Sequence, residues 1–169
     1  MLLPLTLMLL GPYVLLSVVE RIWPRLSSSR SFKGRVGISL FLLGPAVSHF
    51  TSADAMQHML PPSVPWRLEI IYITGVFEFL GAVCIWVPRL VTLTGILLIV
   101  MLLCFLPANI YASLTRVEYG GSSLGPLYLL IRVPFQFFVI WWVYWSTGQD
   151  WWHGNASAEH GGVRYANDT

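Results

Sequence analysis

Charge is scarce in this sequence. Of its 169 residues only 11% are Asp, Glu, Lys or Arg, against about 25% in an ordinary water-soluble domain. With 56% apolar residues as well, a solvated surface cannot be assembled, which excludes the usual soluble enzyme or soluble binding module. Cysteine is nearly missing. Cys84 and Cys104 stand alone in separate apolar stretches, so there is no disulfide framework, CxxC pair or haem-attachment motif. They read as small apolar filler, with a redox-active thiol pair as the alternative. Also lacking are HExxH, HxxxH, a phosphate-binding glycine loop and a nucleophile elbow. His49 and His58 are nine residues apart with a break expected between them, so no metal site is expected. The basic residues are clustered rather than spread over a face among stacking aromatics, so nucleic acid is not an expected partner. No internal repeat is visible.

Long apolar runs are present instead. The first, from Leu2 to Val19, is followed rather than preceded by basic residues and has no small-x-small cleavage pattern, so it reads as a retained helix and not a signal peptide. A second run extends from Val36 to about Phe50, with a kink expected at Pro45 and an interfacial helix around Asp54 to Leu60. Leu60-Pro61-Pro62-Ser63-Val64-Pro65 cannot propagate a helix and forms a loop. A third run opens at Trp66-Arg67 and stops at Pro88-Arg89, close to the length that crosses about 30 Å of hydrocarbon. The fourth runs from Leu90 to about Leu114. After the Gly120-Gly121 turn, the fifth runs from Leu124 to about Ser146 and closes on Trp141, Trp142, Tyr144 and Trp145, a cluster suited to the headgroup layer; an aromatic ligand cage is the alternative.

The expected fold is therefore all-α, an integral membrane bundle of about five transmembrane helices. Residues 1–19 form an N-terminal transmembrane helix, 20–35 a basic cytoplasmic loop, 36–146 a four-helix membrane domain and 147–169 a polar, disordered tail. Five of the ten Lys and Arg residues, Arg21, Arg25, Arg30, Lys33 and Arg35, fall in the one loop. The positive-inside rule then puts the N-terminus outside and the C-terminus in the cytoplasm, with anionic headgroups as a further role for the cluster. Asn155-Ala156-Ser157 and Asn167-Asp168-Thr169 fit the glycosylation sequon, which only a lumenal tail would use.

Two residues do not belong in hydrocarbon. Glu78 lies near the middle of the third run and Arg132 well inside the fifth, and each costs roughly 2.5 to 3.5 kcal/mol on insertion scales when unpaired. Both are expected to face inward and to neutralise each other. Tyr128 and Gln136 lie one turn on either side of Arg132 and extend its polar stripe. Gly75 and Gly81 flank Glu78 and would let a neighbouring helix approach closely. With His49 and Asn109 near the outer ends of their runs, these groups outline a pocket in the outer half of the bilayer, lined by His49, Glu78, Asn109 and Arg132, with Gln136 and Tyr72. The bland alternative is a buried ion pair that locks helix register, with Asn109 and Gln136 satisfying leftover donors.

The order Ser48-His49-Phe50, Pro61-Pro62, Tyr72-Ile73-Thr74-Gly75-Val76-Phe77-Glu78, Pro88-Arg89, Pro107-Ala108-Asn109-Ile110 and Ile131-Arg132-Val133-Pro134-Phe135-Gln136 resembles the DoxX family of small membrane proteins. The similarity covers roughly Arg35 to Ser146 and is closest to a subgroup with HF, PP, GxxE, PAN and RxPxQ motifs in this order. One departure is Ala46, where that subgroup has glycine. The resemblance implies a four-helix DoxX-like core plus the N-terminal helix. The family takes its name from a subunit associated with thiosulfate:quinone oxidoreduction, which makes a quinone the cofactor that analogy suggests.

Three functions remain open. The first is binding of a small lipophilic molecule (a quinone, isoprenoid or sterol-like compound), redox-linked by analogy: Arg132 holds a carbonyl or oxyanion, and Asn109, Gln136 and Tyr72 help line the site. The second is a membrane isomerase, cyclase or epoxide-opening enzyme with Glu78 and His49 as catalytic acid and base. The third is a non-catalytic accessory subunit. The expected partners are membrane lipids, a lipophilic ligand and a membrane complex or second copy of the chain.

Overall fold

The computed structural model describes residues 2–26, 28–119 and 121–148. The expected disordered tail and both sequons lie outside these residues, apart from Thr147 and Gly148, which end the last helix. Among the described residues six α-helices follow in order: α1 (Leu2–Ile22), α2 (Arg30–Thr51), α3 (Ala53–Gln57), α4 (Arg67–Cys84), α5 (Val91–Leu114) and α6 (Pro126–Thr147), with short 3₁₀ turns at Pro24–Leu26 and Ser122–Leu124. No strand occurs among the described residues. Three helices among the described residues, α1 from Leu3, α5 and α6, are long and apolar enough to cross a membrane. α2 carries Arg30, Lys33, Arg35 and His49, and α4 carries Arg67, Glu69 and Glu78, so both are more polar.

α2 is the centre of the bundle. It lies against α1, α4 and α6, while α5 packs on α6 and more sparsely on α4. Ile38, Phe41 and Leu42 of α2 meet Leu9 of α1, Ala82 and Ile85 at the end of α4, and Val139, Trp142 and Val143 of α6 in one core. Large apolar side chains also cover the outside of every long helix, among them Leu7, Val47, Phe77, Leu97 and Leu130. A surface so apolar around the whole bundle suits an apolar solvent and not water.

The basic linker is shorter than the sequence suggests. Glu20 to Ile22 complete α1, and Arg30 to Arg35 already belong to α2, so only 23–29 connect the two. Ser29 starts α2 by accepting a hydrogen bond from the Phe32 amide at 3.1 Å, which satisfies one of the first-turn donors. Glu20 accepts from the backbone and hydroxyl of Ser28 at 2.7 and 2.6 Å and forms an ion pair with Lys33. Two helix ends with opposite charge thus close on each other where a loop was expected. α4 stops at Cys84 rather than Val87, because the residue before Pro88 is driven out of helical backbone. α5 ends in a Schellman pattern, with Val117 N–H donating to Ala112 at 2.9 Å and Arg116 at φ +53°.

The aromatic cluster at the end of α6 divides. Trp141 and Tyr144 are exposed, but Trp142 is buried, donates its indole N–H to Gly34 at 3.2 Å and stands edge-on to Tyr13 at 5.5 Å. Part of the cluster is therefore packing between α1, α2 and α6, which a boundary reading from sequence does not separate from anchoring.

Candidate functional site

At the end of the bundle bearing α3, a cavity of about 260 Å³ opens between the helices, room for roughly nine waters at their liquid volume of about 30 Å³ each. Most of its wall is apolar, from Leu5, Phe41, Leu42, Ile71, Leu102 and Phe105, with Met56, Met59 and Leu60 of α3 and the following turn. His49 of α2, Glu78 of α4, Asn109 of α5 and Arg132 of α6 reach it from four helices, together with the hydroxyl-bearing Ser48, Thr74, Tyr119, Ser122 and Tyr128.

Glu78 and His49 meet because Gly75 has no side chain. A Cβ there would stand 2.6 Å from His49 Cβ, so α2 and α4 approach closely one turn from Glu78. His49 Nε2 then lies 3.5 Å from Glu78 Oε2, and both residues are buried. On the other side of the ring, Nδ1 is 3.3 Å from Thr74 Oγ1. That hydroxyl is 2.9 Å from the carbonyl oxygens of both Ile70 and Ile71. The single Thr74 proton serves either one of these carbonyls or His49 Nδ1, according to the imidazole tautomer. Nε2 faces the carboxylate, and Glu78 Oε2 has no hydrogen-bond partner among the described residues.

The expected Glu78–Arg132 ion pair is not what forms: the direct partner of Glu78 is His49. The histidine lies one helix packing distance away across Gly75, and it takes the place at the carboxylate that sequence reasoning gave to the guanidinium. Arg132 is half-buried at the cavity and makes no hydrogen bond or ion pair among the described residues.

Asn109 and Gln136 do come together. Asn109 Nδ2 donates to Gln136 Oε1 at 3.1 Å, and Gln136 Nε2 donates to the Leu102 carbonyl, next to the Leu103 carbonyl whose helical donor Pro107 lacks. Gln136 sits behind the cavity, lining a smaller void beside it, and its role is to fix Asn109 and the proline-interrupted turn of α5. Tyr72 lies outside the cavity: it is exposed and stacks on Phe50 at 5.8 Å. On a helix, Tyr72 and Glu78 are six residues apart and so point about 120° away from each other. The polar cavity residues Ser48, Thr74, Tyr119, Ser122 and Tyr128 were not named from sequence as site residues. Thr74 and Tyr128 each lie four residues before one of the charged residues, Glu78 and Arg132, a signal the helical period offers.

Among the described residues no group of three His, Cys, Asp or Glu side chains is placed to hold a metal ion. What the site offers is one acid–base pair and one guanidinium at the wall of an apolar chamber. The fold and site together define an all-helical bundle, built around three helices of membrane-spanning length and apolarity, with a polar-headed cavity at one end. Residues 38–147, from within α2 to the end of α6, match the family model described as a domain of unknown function (DUF8561), and the chain belongs to that family. No curated protein and no solved structure matches it.

Proposed function

We propose that this is a five-span, DoxX-like membrane protein that holds a small lipophilic molecule, of quinone, isoprenoid or sterol-like type, in the cavity beside α3. The observation that carries this reading is the convergence of His49, Glu78, Asn109 and Arg132 on a largely apolar chamber. Intramembrane ionisable groups mark functional sites by default, and a few convergent polar groups in an apolar pocket are the usual form of a ligand site.

Length and surface support α2 and α4 as spans. At about 1.5 Å per residue they reach about 33 and about 27 Å. Leu40 and Val47 on α2 and Ile73, Val76, Phe77 and Leu80 on α4 are exposed. Charge supports the orientation. Arg21, Arg25, Arg30, Lys33, Arg35 and Arg89 gather at the end away from the cavity, with Glu20 alone against them among the described residues. That end is cytoplasmic by the positive-inside rule, which leaves the N-terminus and the cavity toward the outer face and the C-terminus in the cytoplasm.

Native mass spectrometry of the gently solubilised protein tests the reading. A co-purifying small molecule present in the wild type and lost in Arg132→Ala is the expected result. A bare protein in both samples would instead favour an accessory subunit whose polar residues only lock packing. The His49–Glu78 contact favours a second reading, an isomerase, cyclase or epoxide-opening enzyme in which the pair moves a proton. A pH–rate profile left unchanged by His49→Gln and by Glu78→Gln would remove it.

A further inference from the structure

We infer that the cavity seats an amphiphilic monoanion, a carboxylate carried on a hydrocarbon chain or ring, with Arg132 as its counter-ion. This rests on the lipophilic-ligand reading above and narrows it to one class of head group.

The argument is one of contacts. Glu78 Oε2 faces His49 Nε2 across 3.5 Å, and no hydrogen bond or ion pair joins that carboxylate to Arg132 among the described residues.

Arg132 cannot shed its proton. It makes no hydrogen bond or ion pair among the described residues, and no second acidic residue lines the cavity. No carboxylate among the described residues lies within ion-pair distance of the Arg132 guanidinium. A guanidinium presents a planar fork that fits a carboxylate with two parallel hydrogen bonds. Beyond the fork, the wall of Phe41, Leu42, Ile71, Leu102 and Phe105 suits hydrocarbon. A neutral ketone, ester or alcohol would fill the same space but bring no opposite charge to the guanidinium.

The test is a native mass spectrometry titration of the purified protein in neutral detergent with decanoate, methyl decanoate and decylamine, for the wild type, Arg132→Gln and Arg132→Lys. Decanoate should bind at least tenfold more tightly than the ester or the amine, the scale of a hydrogen bond to a charged group. Arg132→Gln should bring the acid down to the level of the ester, and Arg132→Lys, which keeps the charge, should retain most of the preference. Equal binding of acid and ester in the wild type would overturn the monoanion while leaving a lipophilic pocket in place. No binding of any of the three would overturn both. If Arg132→Gln does not fold, the acid-to-ester ratio in the wild type and Arg132→Lys decides the matter.

Discussion

A methyl group added to Gly75 would sit 2.6 Å from His49 Cβ and 3.2 Å from a ring carbon of Phe50. The first contact is to an atom fixed to the α2 backbone, so it cannot be relieved by a side-chain rotation. Gly75→Ala should therefore push α2 from α4, lower stability by about 1–3 kcal/mol as overpacking does, and open the His49–Glu78 contact. Thermal unfolding in detergent reads the first effect. Loss of the bound mass at an otherwise normal expression level reads the second. Gly81 provides a comparison. A Cβ there would meet the end of Leu98 at 2.7 Å, a flexible group, so Gly81→Ala should cost less and leave the dyad intact.

The helices owe their limits to short-range chemistry that differs from end to end. Ser29 caps α2, and its hydroxyl is the first fixed point after the turn that joins α1 to α2. Ser29→Ala should cost about 1 kcal/mol in thermal unfolding, with ligand retention unchanged, because the cavity lies at the opposite end of α2. The ion pair of Lys33 with Glu20 reinforces the same junction. Toward the cavity, Pro107 interrupts the donor ladder of α5, and Gln136 of α6 meets it there through Leu102. A polar residue that looks like a ligand in the sequence is thus a clamp between two helices. Its distinction from Asn109, which it holds, comes only from which side of α6 faces the void.

For the molecule entire, the two ends differ in charge, and this sets the expected orientation. In a cysteine-free background with Cys84 and Cys104 replaced by Ala, Ser63→Cys in the proline-rich loop should react with a membrane-impermeant maleimide in intact cells. Arg89→Cys at the α4–α5 turn should react only after permeabilisation. Labelling of position 89 from outside would invert the topology, and labelling of both from outside would mean that α4 does not span.

Much of this architecture is legible from residue order alone. Runs of apolar residues, broken by Pro61-Pro62, Pro88 and the Gly120-Gly121 turn, determine an all-helical chain, since in hydrocarbon every backbone donor needs a partner within its own segment. The scarcity of charge singles out Glu78 and Arg132, because a lone ion in such surroundings has to be explained. The folded chain decided what those ions do. Two residues on different helices become neighbours only through packing, and packing turned on Gly75, whose lack of a side chain seats His49 against Glu78. That contact withdrew the expected partner from Arg132 and left the guanidinium at the cavity. It also separated Tyr72, on the outer face of α4, from Thr74, two residues on, which holds the histidine ring. Helical period gives the spacing along one helix, but the rotation of each helix about its own axis is fixed by its neighbours, and that rotation assigns a side chain to the chamber, to a clamp or to the outer surface.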